Sequence, residues 1–433
     1  MSRGLWLTIK RHPTICLYRT RISPPVVVNY AAIIFRLFGD INMLKQRLLY
    51  SLVFCLCLLN ISVAQAQKLI PAQPELAAKA WILVDAETGR VLAEHNADQQ
   101  LPPASLAKMM TTYIVSNEIE AGRIEEQSVV RISDNAWELG GAKTDGSTMF
   151  LSPRSEVSVL DLMHGVIIQS GNDASIALAE YISGDEDSFS DTMNRQAELL
   201  GMNNTTYLNS TGLPAEGMLT TARDLSLLAR AIIREHPGYY SIYSKKYFEH
   251  NNINQPNRNR LLWRDTSVDG LKTGYTEAAG YCLVASAQRR DMRLISVVLG
   301  TSNDASRAKE SQKLLSYGFR NYDTKVIYSA GDLIKENTKV WYGQQEFLNL
   351  TIAEDVTLTF PRGSQKNLAA NILVDEQIEA PIYQGQELGR LQVSLDDKVL
   401  VDVPLVAQVD IEQSGLMSRL FDWIILFFTD LMS

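Results

Sequence analysis

Ser105-Leu106-Ala107-Lys108 sets a hydroxyl and an amine three residues apart, and two more short motifs follow, Ser170-Gly171-Asn172 and Lys272-Thr273-Gly274. Residues i and i+3 share a helix face, so Ser105 and Lys108 can come within hydrogen-bond reach. A serine hydroxyl attacks a carbonyl only when a base takes its proton. Lysine serves as that base when neutral, and both burial and the positive potential of a helix's first turn favour the neutral amine. Ser170 can pass a proton to a leaving amine, and the Asn172 amide can hold a substrate peptide group. Lys272 brings positive charge and Thr273 a hydroxyl for a carboxylate, while Gly274 lets a substrate backbone approach a strand closely. Each motif alone is ordinary, since Ser-x-x-Lys occurs on many solvated helix surfaces. In this order they supply the parts for acyl transfer through a serine ester without histidine.

The elements around them can be read from periodicity and breakers. Ala80–Val84 and Val91–Ala93 flank Asp85-Ala86-Glu87-Thr88-Gly89 as a hairpin. Leu101-Pro102-Pro103-Ala104 blocks a strand and sets up a helix from Ser105 to Ala121, with Gly122 as its stop. Glu138–Ser147 reads as a loop, and Ser158-Val159-Leu160-Asp161 as a capping box opening a helix that ends before Ser170. Another helix starts near Ala174, and Thr221-Ala222-Arg223-Asp224 opens one that ends before His236-Pro237. Leu271–Gly274, Tyr281–Ala287 and Leu294–Leu299 read as strands and Ala305–Gly318 as a closing helix. Helices between a terminal hairpin and late strands imply an α+β domain over 75–322, an antiparallel sheet with flanking helices. Beyond residue 325, alternating segments such as Val356–Phe360 and Leu391–Leu395 imply a small all-β sandwich over 325–408, with no polar cluster of its own.

The two ends differ in character. Met43-Leu44-Lys45-Gln46-Arg47, the apolar run Leu48–Leu59 and Ala64-Gln65-Ala66 match a secretory signal peptide over 43–66. Met43 is then expected to be the true start, residues 1–42 a misassigned upstream extension, and Gln67 about the first mature residue. Leaving out 1–66 moves the formal charge from −8 to about −15, which excludes a nucleic-acid partner. Cys282 alone remains, so no internal disulfide is expected, and its apolar surroundings suit a buried small hydrophobe. His95, His164, His236 and His250 form no ligand-spaced pair, so neither metal nor other cofactor is expected. Over 411–433 the apolar residues from Leu416 to Leu431 share one broad helical face. Ser418, Arg419, Asp422, Thr429 and Asp430 occupy the other, interrupted by Leu426. That pattern suits a helix lying in a membrane surface with Trp423, Phe427 and Phe428 in lipid; the alternative is a helix packed on its own domain or on a partner.

Ser-x-x-Lys, Ser-x-Asn and Lys-Thr-Gly in this order form the signature of the penicillin-binding proteins and their β-lactamase kin. From Met43 to the tail, the chain resembles the low-molecular-mass penicillin-binding proteins of the D-alanyl-D-alanine carboxypeptidase type (peptidase S11-like). The resemblance implies a β-lactamase/transpeptidase-like catalytic domain and removal of the terminal D-Ala from peptidoglycan stem peptides. β-Lactams would be covalent inhibitors, and the protein would work at the periplasmic face of the inner membrane. It implies Ser105 as nucleophile, Lys108 as its base, Ser170 as proton relay and Asn172 as substrate contact. Lys272, Thr273 and Gly274 would anchor the substrate, with the N–H groups of Ser105 and Tyr275 as oxyanion hole. Arg307 falls near the substrate carboxylate, and Ser147 and Thr148 in a bordering loop. Gly171 stands where many relatives carry Asp or another residue, and Tyr275 where some carry His or Thr. No Glu-x-x-x-Asn occurs within 209–260, so fast hydrolysis of a penicilloyl ester is not expected. A D,D-endopeptidase cutting crosslinks shares all three motifs, and a non-catalytic wall-binding module is the remaining alternative.

Overall fold

A computed structural model describes residues 72–432, so the expected leader over 43–66 and the stretch 1–42 lie outside the described residues. The central sheet is antiparallel, in the order β2-β1-β5-β4-β3. Its strands are β1 (Ala80–Asp85), β2 (Val91–His95), β3 (Val268–Thr276), β4 (Gly280–Arg289) and β5 (Met292–Thr301). β4 and β5 are buried along most of their length because both faces are covered. One face packs on a core containing Ile82, Met110, Leu228 and Val297, the other on Leu83, Leu294, Leu314 and Phe319.

Helix α1 (Lys108–Glu120) runs through the first core, with Lys108 to Ser116 all buried. Helices α2 (Asn172–Ser183), α3 (Glu186–Leu199) and α4 (Ala222–Glu235) surround it, and α5 (Asp304–Asn321) covers the far face of the sheet. The caps expected from sequence form: Ser158 accepts from the Asp161 N–H, and Thr221 from the Asp224 N–H. Two local expectations change. A short helix, Asp134–Gly140, capped by Ser133, takes up the start of the stretch read as a loop. The helix expected from Ser105 instead begins as a 3-10 turn, Ala104–Ala107, with the Leu106 N–H on the Pro103 carbonyl and Ala104 at φ 49°.

The second domain is all-β. Strands β6 (Tyr322–Tyr328) and β9 (Val356–Pro361) pair as one sheet. The other runs in the order β7-β8-β12-β11-β10, with β7 (Leu333–Lys339), β8 (Phe347–Thr351), β10 (Leu368–Val374), β11 (Glu387–Leu395) and β12 (Lys398–Ala407). Leu350, Phe360, Leu391 and Leu405 fill the space between them. The junction with the first domain is polar. The buried Asp85 carboxylate accepts from the Thr88 N–H (2.8 Å) and the Thr324 hydroxyl (2.6 Å). Arg90 donates to the Thr359 carbonyl across the same seam at 2.5 Å.

Helix α6 (Leu416–Met432) ends the chain. Its polar side, not its apolar side, meets the β domain: the Asp422 carboxylate accepts from the Tyr342 N–H at 2.7 Å. Leu416, Phe421, Trp423, Phe427, Phe428 and Leu431 are exposed. Among the described residues, no helix is long and apolar enough to cross a membrane.

Candidate active site

In a 3-10 turn, side chains at i and i+3 eclipse, which stacks Lys108 directly beside Ser105. The turn is held from two directions. Gly212 approaches so closely that a Cβ there would lie 1.8 Å from the Ala104 carbonyl oxygen, and its φ of +77° also demands glycine. Gly274 on β3 packs against the other side, where a Cβ would sit 3.2 Å from Ala104, Leu106 and Pro103. The Lys-Thr-Gly strand is thereby brought against the turn that carries Ser105.

Lys108 is fully buried, and its Nζ lies 2.6 Å from the Thr211 carbonyl oxygen, 2.7 Å from Asn172 Oδ1 and 3.3 Å from Ser105 Oγ. The first two partners can only accept. A neutral amine has two N–H bonds and one lone pair, so those two acceptors take both hydrogens and aim the lone pair at the Ser105 hydroxyl. Burial drives the amine toward that neutral form, lowering its pKa from 10.5 to about 7. The fields of Asp173 and Glu186 oppose the shift, and Arg258 adds to it. The arrangement can therefore take a proton from Ser105 near neutral pH.

Ser170 follows a π-turn, Gly165–Gln169, and sits in the left-handed region at φ 63°, ψ 32°. Such strain in a non-glycine residue persists only where its surroundings enforce it. Here Lys272 Nζ lies 2.8 Å from Ser170 Oγ, and Asn172 is fixed by its bond to Lys108 and by its own N–H on the Ser147 carbonyl. Burial pushes the Lys272 pKa well down, helped by the neighbouring charges of Lys108, Arg258 and Arg307.

A cleft of about 720 Å³ opens over these groups, lined by Ser105, Ser170, Asn172, Thr273, Tyr275 and Arg307 among others. Lys272 reaches the site through Ser170, so the cations that face the cleft directly are Arg258, Arg260 and Arg307. Arg307, near the start of α5, donates to the Gly274 carbonyl at 3.1 Å and to Asp304, which also pairs with Arg260. Tyr275 is half-exposed and packs against Tyr281, the two rings tilted at 33° with centroids 4.2 Å apart. The structure thus brings Ser105, Lys108, Ser170, Asn172, Lys272, Thr273, Gly274, Tyr275 and Arg307 around one site.

Sequence reasoning missed several contributors. Asp173, fully buried, accepts from the N–H groups of Met149 (2.8 Å), Leu151 (3.0 Å) and Ala174 (2.9 Å) and from the Thr148 hydroxyl (2.7 Å). One carboxylate thereby folds the 147–151 strap over the Ser-Gly-Asn turn. Glu186 holds Ser210 through its N–H (3.0 Å) and hydroxyl (2.6 Å), which sets the carbonyl of the next residue, Thr211, against Lys108. Asp173 beside the motif was visible as an acid near a helix start, but its partners come from a distant segment. Arg258, Asp304 and the Thr211 carbonyl carried no local signal at all.

A cleft serine beside a buried lysine at the head of a core helix, facing a Lys-Thr-Gly strand in an α+β domain, defines a class of proteins able to form acyl-serine esters. Residues 67–303 match the D-alanyl-D-alanine carboxypeptidase family, and residues 322–413 match the C-terminal domain of penicillin-binding protein 5. The chain is 46% identical over 358 residues to the D-alanyl-D-alanine carboxypeptidase DacC of Escherichia coli, covering 82% of this chain and 89% of that protein. The crystal structure of penicillin-binding protein 5 from Haemophilus influenzae, 41% identical, aligns over 79% of this chain and all of that one with a TM-score of 0.74. Penicillin-binding protein D2 of Listeria monocytogenes in its ampicillin-bound form, 31% identical, aligns over 57% of this chain and all of that one with a TM-score of 0.52. The chain belongs to the D-alanyl-D-alanine carboxypeptidase family, peptidase S11.

Proposed function

We propose that this chain is a serine-type D-alanyl-D-alanine carboxypeptidase acting on peptidoglycan stem peptides and acylated by penicillin. Lys108 carries this reading: a fully buried amine whose hydrogens are taken by Thr211 and Asn172 is left with its lone pair toward Ser105. Ser105 Oγ gives its proton to Lys108 and adds to the carbonyl carbon of the penultimate D-Ala. The peptide C–N bond then breaks, and the leaving amine takes a proton through Ser170, which Lys272 orients. Water reverses the step by the same route, freeing the shortened peptide and Ser105. Thr273 and Arg307 receive the terminal carboxylate, Asn172 and the strand edge at Tyr275 hold the acyl portion, and the Ser105 and Tyr275 N–H groups stabilise the oxyanion. In a β-lactam the broken C–N bond leaves the amine tethered to the ester, so the acyl-enzyme persists.

The chain is tested with a stem pentapeptide and with a crosslinked peptide dimer. Free D-alanine from the pentapeptide is the expected product, and cleavage of the dimer alone would replace the reading with an endopeptidase. Ser105→Ala should lose covalent labelling by penicillin, and a protein still labelled would disprove the nucleophile.

We also propose that the protein is exported and rests on the periplasmic face of the inner membrane through α6. The support is that α6 turns its polar side to the β domain and leaves Phe421, Trp423, Phe427 and Phe428 uncovered. With few charges on the helix, burial of apolar area supplies the binding. A chain ending at Gly415, which keeps the buried Ile411, should leave the membrane fraction; unchanged sedimentation would refute the anchor.

A further inference from the structure

The β domain guards one edge of its larger sheet and leaves the other open. The edge strand β7 carries Lys335, Glu336 and Lys339, and its ladder with β8 is broken by two register shifts. Those are the usual protections against edge-to-edge pairing. The opposite edge, β10, reads Leu-Ala-Ala-Asn-Ile-Leu-Val, without charge, proline or glycine. It pairs with β11 over all seven residues without a bulge, and among the described residues its outer side has no partner strand. Both of its faces are open to solvent: Ala369 to Leu373 are all exposed, Ile372 at 39% and Leu373 at 45%. Ile372 lies opposite the fully buried Leu391 and so continues the core face of the sheet past the point where the core covers it.

We propose that β10 is a self-association edge, at which two copies of this chain pair antiparallel about a two-fold axis through Asn371 and join their sheets into one. The occupant is identified by the sequence around the strand. Lys366 and Asn367 precede it, and Asp375 and Glu376 follow. An antiparallel pairing centred on Asn371 brings the 3-10 turn that holds Lys366, just before the strand, beside the Asp375-Glu376 end of the other copy, so both ends carry opposite charges. Within the strand it sets Leu368 against Val374, and it matches small residues with large ones at Ala369 against Leu373 and Ala370 against Ile372. The two Asn371 amides meet at the axis, where each can donate to and accept from the other. A parallel pairing would set lysine beside lysine and acid beside acid. Lys366, Asp375 and Glu376 are all exposed, and none forms a salt bridge among the described residues. One strand pair buries less than the roughly 1,200 Å² of a stable solution complex, so the association is weak and concentration-dependent.

The test uses the full chain in detergent, which occupies the apolar face of α6, and reads sedimentation over about 10 to 300 μM. A monomer–dimer equilibrium is expected, with Leu373→Lys lowering the dimer fraction at the top of that range at least about fivefold. Asn371→Cys should crosslink with a short bis-thiol reagent at least about tenfold faster than Ala369→Cys, because only position 371 meets itself across the axis. The parent chain, treated alike, reports its own thiols. Lys366→Glu should slow the Asn371→Cys crosslink, and adding Glu376→Lys should restore it. A sedimentation profile unmoved by Leu373→Lys, equal crosslinking at 369 and 371, or no rescue by the charge exchange would each overturn the proposal. Unchanged thermal melting of each variant separates lost pairing from lost folding, since every altered side chain is exposed.

Discussion

If Lys108 is the base that activates Ser105, the acylation rate must follow the neutral fraction of one buried amine. With its pKa at about 7, Lys108 is about one-tenth neutral at pH 6, half at pH 7 and nine-tenths at pH 8. The second-order rate of penicillin acylation should therefore rise about tenfold from pH 6 to 8 and then level off. A lysine at its ordinary 10.5 would instead give about a hundredfold rise over the same interval, without a plateau. The neighbouring charges set the sign of three further shifts. Asp173 and Glu186 favour the ammonium, so Asp173→Asn or Glu186→Gln should move the midpoint to lower pH. Arg258 disfavours it, so Arg258→Gln should move the midpoint up. Stopped-flow or quenched labelling with a fluorescent penicillin, in buffers of matched ionic strength, provides the profile. A rate still climbing steadily through pH 9, or flat from pH 6, would refute the assignment of the base. So would a midpoint that rises when either carboxylate is neutralised.

Other consequences are as direct. Gly212→Ala should abolish acylation while leaving the far-ultraviolet spectrum intact, because its Cβ would press on the Ala104 carbonyl and displace the nucleophile turn. Arg307→Gln should raise KM for the pentapeptide about ten- to a hundredfold with a smaller change in kcat, and an unchanged KM would remove Arg307 from carboxylate recognition. At the domain junction, Asp85→Ala leaves Thr88 and Thr324 without their shared acceptor, and should lower stability in urea by about 3 kcal/mol. Retained stability there would show the seam to be secondary to the apolar packing.

Much of this protein is legible in local sequence because local rules decide it. Pro102-Pro103 must end a strand, Ser158 and Thr221 must cap helices, and alternation beyond residue 325 must give strands. Ser105, Lys108, Ser170, Asn172, Lys272 and Thr273 announce themselves by residue type and order. Three short motifs of that kind are improbable together unless one substrate unites them. The face of α6 is equally legible from its period, but which side turns inward is not: that is set by contacts with the β domain such as the Tyr342 N–H on Asp422. The same holds at the site. No spacing rule could show that the two acceptors for the hydrogens of Lys108 would be an amide and a carbonyl from residues 64 and 103 positions away. Nor could it show that Asp173 would gather a strap from 147–151, or that Gly212 would hold the nucleophile turn by contact with Ala104. Sequence determined which groups are present and on which elements. Tertiary packing alone decided that Lys108 is dry, and that burial is what lowers its pKa and lets it face Ser105 as a neutral amine.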